Sequence, residues 1–516
     1  MNRILLLIIV PCLVWAQDAT ILKQFYLEPN RKCIQISKDE AKEKVLFLKD
    51  RLSIEYSLTD KNLVAEFQLV HRIIRYNSHE AIENFNKIYI PMDEVVEIMK
   101  LEARVITSSG KIINFDKKNL KDLNQDSDKG KVKMFAVEGA EINSELEFFY
   151  LTRRKTEFMG STIFQFPFPV KEALFELLSP MSLVFEARSY NKLNAIKTDT
   201  IEGKRRLVMK HNNVPSFQSE PFSFTRPNKM RVDYKLSTEV SMPNTRLFSW
   251  EAVANKIAPV FNFSSNEDKT LVKMVKNLKI DPKSTDETKI RAIEEYVKTS
   301  YGLVHQAPST NIEQVYISKY TNAVGFTRLF FGLLEKAGLE FKLILTSKRD
   351  EGKIDPDLEI WNYLSTYLIY FPKHDMYLCP TEQETRYGII PANLTNTNGL
   401  FLTPKRGKNK EMLFFSEISF IKPLSHTLSN HNTFVNVNLV DSNKMPTQIT
   451  HLFTGYPAEN LVPYYDYMNE EDKERLVKNL TEADKMGYKL KDFSFKNAKY
   501  SEETPMGKFE LTANLD

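Results

Sequence analysis

If this chain carries out a reaction, the stretch to examine first is KYTNAVGFTRLFFGLLEKAG, Lys319 to Gly338. Phe326, Leu329, Phe330, Leu333, Leu334 and Ala337 recur at three- and four-residue spacing, and Gly338 sits where a helix would stop. The spacing predicts a buried helix over 322–337. In a large group of enzymes the residue opening such a helix is a nucleophilic cysteine, because the positive helix end lowers its pKa and favours the thiolate. Here that position is Ala323, which has no atom to attack with.

Other groups with chemical potential are few. Of three cysteines, Cys12 falls in an apolar N-terminal run, leaving Cys33 and Cys379. Two thiols in so long a chain are no disulfide scaffold. They either pair in an oxidising compartment or fill small apolar sites, and both readings stand. His71 and His79 lie in a β-rich region, His305 follows a helix, His374 belongs to a turn, and His426 and His431 fall in a predicted loop. The sequence holds no HExxH, paired Cys-x-x-Cys, acidic calcium loop, GxSxG elbow or phosphate-cradling glycine loop. No metal and no cofactor is expected.

The elements that would position these groups follow from length and patterning. A chain of 516 residues implies about three domains. Hydrophobic content of 42% supports packed cores, and 71 basic against 67 acidic residues leave only +4, so nucleic acid is not an expected partner. From about 40 to 240, segments such as LVAEFQLVHRIIRYN and LEARVITSSGKIINF alternate or are β-rich, with Ser108-Ser109-Gly110-Lys111 as a hairpin turn. These predict an antiparallel, β-sandwich-like domain over 17–240.

A helical region opens with SWEAVANKIAPVF and continues through Glu267–Leu278 and DPKSTDETKIRAIEEYVKTSYG, where Asp286 or Ser284 would cap a helix with Ile290, Ile293 and Val297 on one face. Strands are expected at Leu339–Lys348, Ile360–Phe371 and Met376–Thr381, the last two joined by the turn 372–375. Helices followed by an antiparallel sheet make an α+β domain over 245–405. The region 406–516 adds strands near 433–440 and 447–453, a charged helix within 466–486 and a final strand, KFELTANLD. A terminal strand of that kind would be an unpaired edge, so 406–516 is expected to be incomplete.

The first sixteen residues read as a secretory signal: Arg3, an apolar run from Ile4 to Trp15, and Val14 and Ala16 before a cut ahead of Gln17. The run is too short to span a bilayer. An exported chain, periplasmic or associated with the outer envelope, with no membrane span in its mature form, is the expectation.

From about Asp281 to Leu402 the chain resembles the bacterial transglutaminase-like domains, a branch of the papain-like cysteine enzymes. The matching pieces are IRAIEEYVKTSYG, TNAVGFTRLFFGLLEKAGLEFKLIL, WNYLSTYLIYFPKHDMYLCPT and YGIIPANLTNTNGLFL. The β region before it, through LEARVITSSGKIINF, GAEINSELEFFY and FQFPFPVKEALFEL, resembles the uncharacterised domain that precedes such domains in exported Bacteroidetes-type proteins. The resemblance implies a cysteine nucleophile, a histidine base and an orienting aspartate. Aligned on the family pattern, the helix start Thr321–Gly325 puts Ala323 in the nucleophile slot, Trp361-Asn362-Tyr363 puts Tyr363 in the base slot, and Leu378-Cys379-Pro380-Thr381 puts Cys379 in the acid slot. All three depart from the pattern, and tyrosine, with a pKa near 10, is a poor base at neutral pH.

The expectation is a pseudoenzyme that binds or assembles at the cell envelope, its partner an envelope protein, a peptide or a glycan. The vacated cleft would be lined by Tyr320, Asn322, Trp361, Asn362, Tyr363 and Tyr367, although the same aromatics equally suit a core. Two alternatives remain: an active acyl-transfer enzyme with a shifted catalytic set, and a structural spacer whose partners dock on the β domain.

Overall fold

The computed structural model describes Leu22 and residues 24–516 apart from 60, 62, 124–130, 222, 241–244, 441–444, 466 and 499–506. The expected signal segment, 1–16, lies outside the described residues. The chain is multidomain and divides into two compact units, one ending at Phe248 and the other beginning at Ser249.

The first unit is strand-rich. Its main sheet uses β1 (Val45–Leu58), β2 (Val64–Tyr76), β3 (Val95–Ile106), β4 (Ile112–Asn114), β5 (Glu145–Arg154), β6 (Val170–Pro180), β7 (Lys197–Ile201) and β8 (Lys204–Val214), in the order β7-β8-β6-β1-β2-β5-β3-β4. Pairing is antiparallel except between β1 and β6, which run parallel. The hairpin expected at 108–111 joins β3 to β4, with Gly110 at φ +87° supplying the left-handed residue. Alternation sends Phe47, Tyr56, Ile74, Phe148 and Phe175 to one face. There they meet Phe185, Val232, Tyr234 and Leu236 from a second, three-stranded sheet, which gives the sandwich-like core. The other face is covered in part by the preceding segment, through Leu22, Phe25 and Leu27 on Phe67 and Phe149, and Ile34 and Ile36 on Leu46 and Ile73.

The second unit is α+β. Its helices are α1 (Trp250–Ile257), α2 (Ser265–Asn277), α3 (Asp286–Ser300), α4 (Ile312–Ser318) and α5 (Ala323–Lys336). The cap of α3 is Thr285, which accepts the Thr288 N–H, rather than Asp286 or Ser284. These helices pack on a five-stranded antiparallel sheet made of β9 (Lys342–Thr346), β10 (Thr366–Phe371), β11 (Met376–Leu378), β12 (Thr397–Arg406) and β13 (Met412–Ile421), ordered β11-β10-β9-β12-β13. Three of its strands are shorter than their sequence suggested, β9 covering only Lys342–Thr346 of the expected 339–348. Residues 361–363 form a 3-10 turn, so β10 begins at Thr366, and β11 ends at Leu378 before Pro380. Pro380 has no N–H to extend a ladder.

The remainder of this unit forms a four-stranded sheet, β14 (Asn430–Val437), β15 (Thr447–Thr454), β16 (Leu490–Lys496) and β17 (Lys508–Leu515), in the order β14-β15-β17-β16. Helices α6 (Tyr456–Glu459) and α7 (Glu470–Thr481) lie between its strands in sequence. The last strand is not an edge: β17 pairs with β15 on one side and β16 on the other, so the unpaired-edge argument does not apply to it. Among the described residues no helix is long and apolar enough to cross a membrane.

Candidate functional site

The start of α5 is fixed from both sides. Asn322 caps it by accepting the Gly325 N–H at 3.1 Å, while its amide nitrogen donates to the Ala307 carbonyl at 3.0 Å. Thr321 donates its hydroxyl to the Ser309 carbonyl at 2.7 Å, and the Val304 N–H donates to the Thr321 carbonyl at 2.9 Å. Position 325 must be small, because a Cβ there would stand 1.9 Å from Thr321 Oγ1. The result presents Ala323 to solvent on the first turn. Ala323 offers only a methyl group there.

Behind that start the helix is anchored by a residue the apolar spacing does not count. Arg328 is buried and donates to the carbonyls of Val260 (2.6 Å), Asn262 (3.1 Å) and Thr310, and to Glu267 Oε1 at 3.0 Å. Glu267 also closes the capping box of α2 with Ser264 and accepts the Ile312 N–H at 3.0 Å. One guanidinium thus ties α5 to the connection before α2, to α2 itself through Glu267, and to the connection before α4.

The aromatics of the proposed cleft divide. Trp361, Tyr363 and Tyr367 are half-buried against the same apolar cluster as α5. The Lys256 ammonium lies 5.3 Å from the Trp361 ring centre, Tyr367 meets Phe261 edge-on, and burial raises its hydroxyl pKa. Tyr363 covers Gly352 so closely that a Cβ on that glycine would fall 2.2 Å from the ring. Asn362 is exposed, and Tyr320, 44% exposed in a two-residue strand beside Gly302, joins no apolar cluster.

Cys379 belongs to neither group. Strand alternation sends Leu343, Leu345, Ile369, Leu378, Leu400 and Leu402 toward the helices, while Ile344, Leu368, Tyr377, Phe401 and Ile421 form a separate cluster that contains Cys379. The thiol is 1% exposed, and burial pushes it up to about 11 although Lys298 pulls the other way. The ladder between β10 and β11 runs only from Ile369–Leu378 to Phe371–Met376, so it does not carry Cys379 alongside Tyr363. His374 sits exposed in the connecting turn. Cys33, in the first unit, is a free thiol like Cys379; burial and the Glu145 carboxylate raise it, and its sulfur is 3.4 Å from the Thr107 carbonyl.

Two polar groupings were not anticipated. On α3, Lys298 donates to the Thr385 carbonyl at 2.5 Å and lies 3.0 Å from Glu294 Oε1, both side chains being almost fully buried. Glu294 accepts the Tyr387 N–H at 2.8 Å, and Glu459 of α6 closes the group. Burial drives the Glu459 carboxyl up to about 8 against the pull of Lys298 and Arg386, and its buried Oε1 has no hydrogen-bond partner among the described residues. The signal was present, since 294 and 298 share the spacing of Ile290, Ile293 and Val297. The second is on β14 and β15, where His431 Nε2 stands 2.9 Å from His451 Nδ1 and Thr433 lies beside both. His431 is therefore a strand residue, and His426 lies in a separate 3-10 turn. Among the described residues no group of three or more His, Cys, Asp or Glu is arranged to hold a metal ion.

In the first unit, a groove of about 510 Å³ is lined by Leu27, Pro29, Leu101, Arg104, Ile112 and Phe115 among others. It contains none of the residues chosen from sequence. Arg104 at its wall is already bonded twice to Glu147, at 2.9 and 2.6 Å.

Residues 68–218 match the family model described as a domain of unknown function with solved structure, DUF3857, a span under a third of the chain. The chain matches no curated protein by sequence. Among solved structures it is similar to a protein described as a putative protease from Parabacteroides distasonis, with 12% identity, a TM-score of 0.48, and 92% of this chain and 93% of that one covered. It is also similar to a protein described as a putative nutrient binding protein from Legionella pneumophila, with 7% identity, a TM-score of 0.21, and 57% and 94% covered. Scores at this level carry no argument about function.

Proposed function

We propose that this chain is a non-catalytic, transglutaminase-like exported protein that acts by binding or assembly at the cell envelope. Its parts would be a β domain over 17–240, a transglutaminase-like core over 245–405 and a further region over 406–516. The observation that carries the reading is the mismatch between exposure and chemistry. The exposed helix start offers Ala323, while the thiol of the same unit, Cys379, is sealed in an apolar cluster and held as the thiol at neutral pH. Tyr363, in the base slot of the resemblance, is spent packing on Gly352. A peptide or glycan laid against the half-buried rings of Trp361 and Tyr367 fits this arrangement, since aromatic faces accept both.

The test is a titration of the chain with an extended peptide and with a soluble oligosaccharide, read by tryptophan fluorescence and calorimetry. Binding by either that Trp361→Ala weakens about tenfold or more supports the cleft. Binding untouched by that variant moves the site elsewhere, and turnover of a peptide amide would overturn the non-catalytic reading.

A further inference from the structure

The four-stranded sheet has two edges built on different principles. β16 carries Lys491, Asp492 and Lys496, charges of the kind that keep an edge strand from recruiting another chain. β14 carries none. From Asn430 to Val440 there is no Asp, Glu, Lys or Arg, in a chain of which 27% is charged. Its one titratable side chain, His431, is engaged with His451 and stacked on Phe453 at 4.1 Å. Among the described residues, the other edge strands of comparable length are charged: Glu417 in β13, and Glu186 with Arg188 in the strand Leu183–Tyr190.

Among the described residues, β14 from His431 to Val437 is also exposed on both faces. Register sets Val435 opposite the buried Ile449 and Val437 opposite the buried Thr447, so both valines point to the side where Phe453, Phe509 and Leu511 are packed. Yet they are 53% and 50% exposed, and no β14 residue joins that cluster. On the opposite face Phe434 is 56% exposed.

We propose that β14 is a self-association edge: a second copy of the chain adds its own β14 antiparallel across a two-fold axis, making one continuous eight-stranded sheet. The occupant follows from backbone chemistry and charge. The outward N–H and C=O groups of an edge are satisfied in register only by another extended strand. A charged strand would lay its ionic groups over Phe434, Val435 and Val437 and lose their hydration; a second β14 brings no charge. With Val435 on the axis, it meets its own counterpart and Val437 meets the second copy's Thr433, so inner face lies beside inner face. Such a contact is isologous and closes at two copies. The proposal stands apart from the cleft reading.

Sedimentation equilibrium of the chain from Gln17 onward, from micromolar to sub-millimolar concentration, tests it. A monomer–dimer equilibrium is expected, with Val435→Lys and Phe434→Lys each raising the dimer Kd about tenfold or more while circular dichroism and the melting curve stay unchanged. If a variant fails to fold, hydrogen exchange on the unaltered chain decides: amide protection in β14 should rise with protein concentration. A monomer throughout, a dimer indifferent to both substitutions, or β14 protection independent of concentration would overturn the proposal.

Discussion

The two faces of the five-stranded sheet in the second unit differ in a way that carries the account. The helix-facing side holds the capped start of α5, with Ala323 exposed on its first turn, and the half-buried rings of Trp361, Tyr363 and Tyr367. The opposite side holds the thiol, Cys379, with Ile344, Leu368 and Phe401 around it. Scaffold and reactive atom are separated by a layer of backbone. The difference teaches that the groups holding the start of α5 also hold up the core, so that start stays ordered whatever residue stands at position 323.

That reading can be broken most severely at Arg328. Replacing it by Met would leave the buried Glu267 carboxylate without its cation and three interior carbonyls without this donor, at a cost of about 3–5 kcal/mol, read as a lowered midpoint in denaturant unfolding. A variant of unchanged stability would mean that the α5 anchor is dispensable. Gly325→Ala comes next, since its Cβ would collide with Thr321 Oγ1; a loss of about 1–3 kcal/mol is expected by the same measurement.

The comparison is also sharpened through pH. The Glu459 carboxyl stands at about 8 in the fold against its ordinary value near 4.5, so the folded chain binds a proton that the unfolded chain releases between those values. Its contribution is fully present below about 4.5 and is lost as pH rises through 8, with a slope of at most roughly 1.4 kcal/mol per pH unit. Glu459→Gln should flatten that part of the stability profile. Glu147, in the first unit, runs the other way. Burial alone would raise it, but His71, Arg31 and Arg104 outweigh burial and hold it at about 2, so its contribution is lost as pH falls from about 4.5 toward 2. Glu147→Gln should remove that acid limb. The smallest effect on stability, under about 0.5 kcal/mol, is expected for Ala323→Cys at an exposed first turn.

Much of this was readable in the sequence, and the exceptions have definite causes. The helix over 323–336 follows from its spacing, and the turn at 108–111 from Ser-Ser-Gly. The strand expected over 360–371 fails at its front because Trp361-Asn362-Tyr363 has aromatic β-formers that serve instead as one 3-10 turn packed on Gly352. The interior place of β17 could not be read, since sheet order depends on partners some sixty residues before it and on a strand just upstream. Arg328 was missed because a polar residue on a buried face leaves no mark in an apolar count, whereas Glu294 and Lys298 sit on the α3 spacing and were open to view. Cys379 needed the pleat: one residue along from Leu378 is the other face.

The most direct measurement is the rate of alkylation of each thiol against pH, assigned by peptide mass, in the unaltered chain and in Ala323→Cys. The account predicts that the thiol introduced at the helix start reacts fast and titrates at or below the reference value of about 8.5, while Cys379 stays slow through neutral pH in both proteins. A Cys379 that reacts near pH 7 as fast as the introduced thiol would contradict it and return the chain to the enzymes.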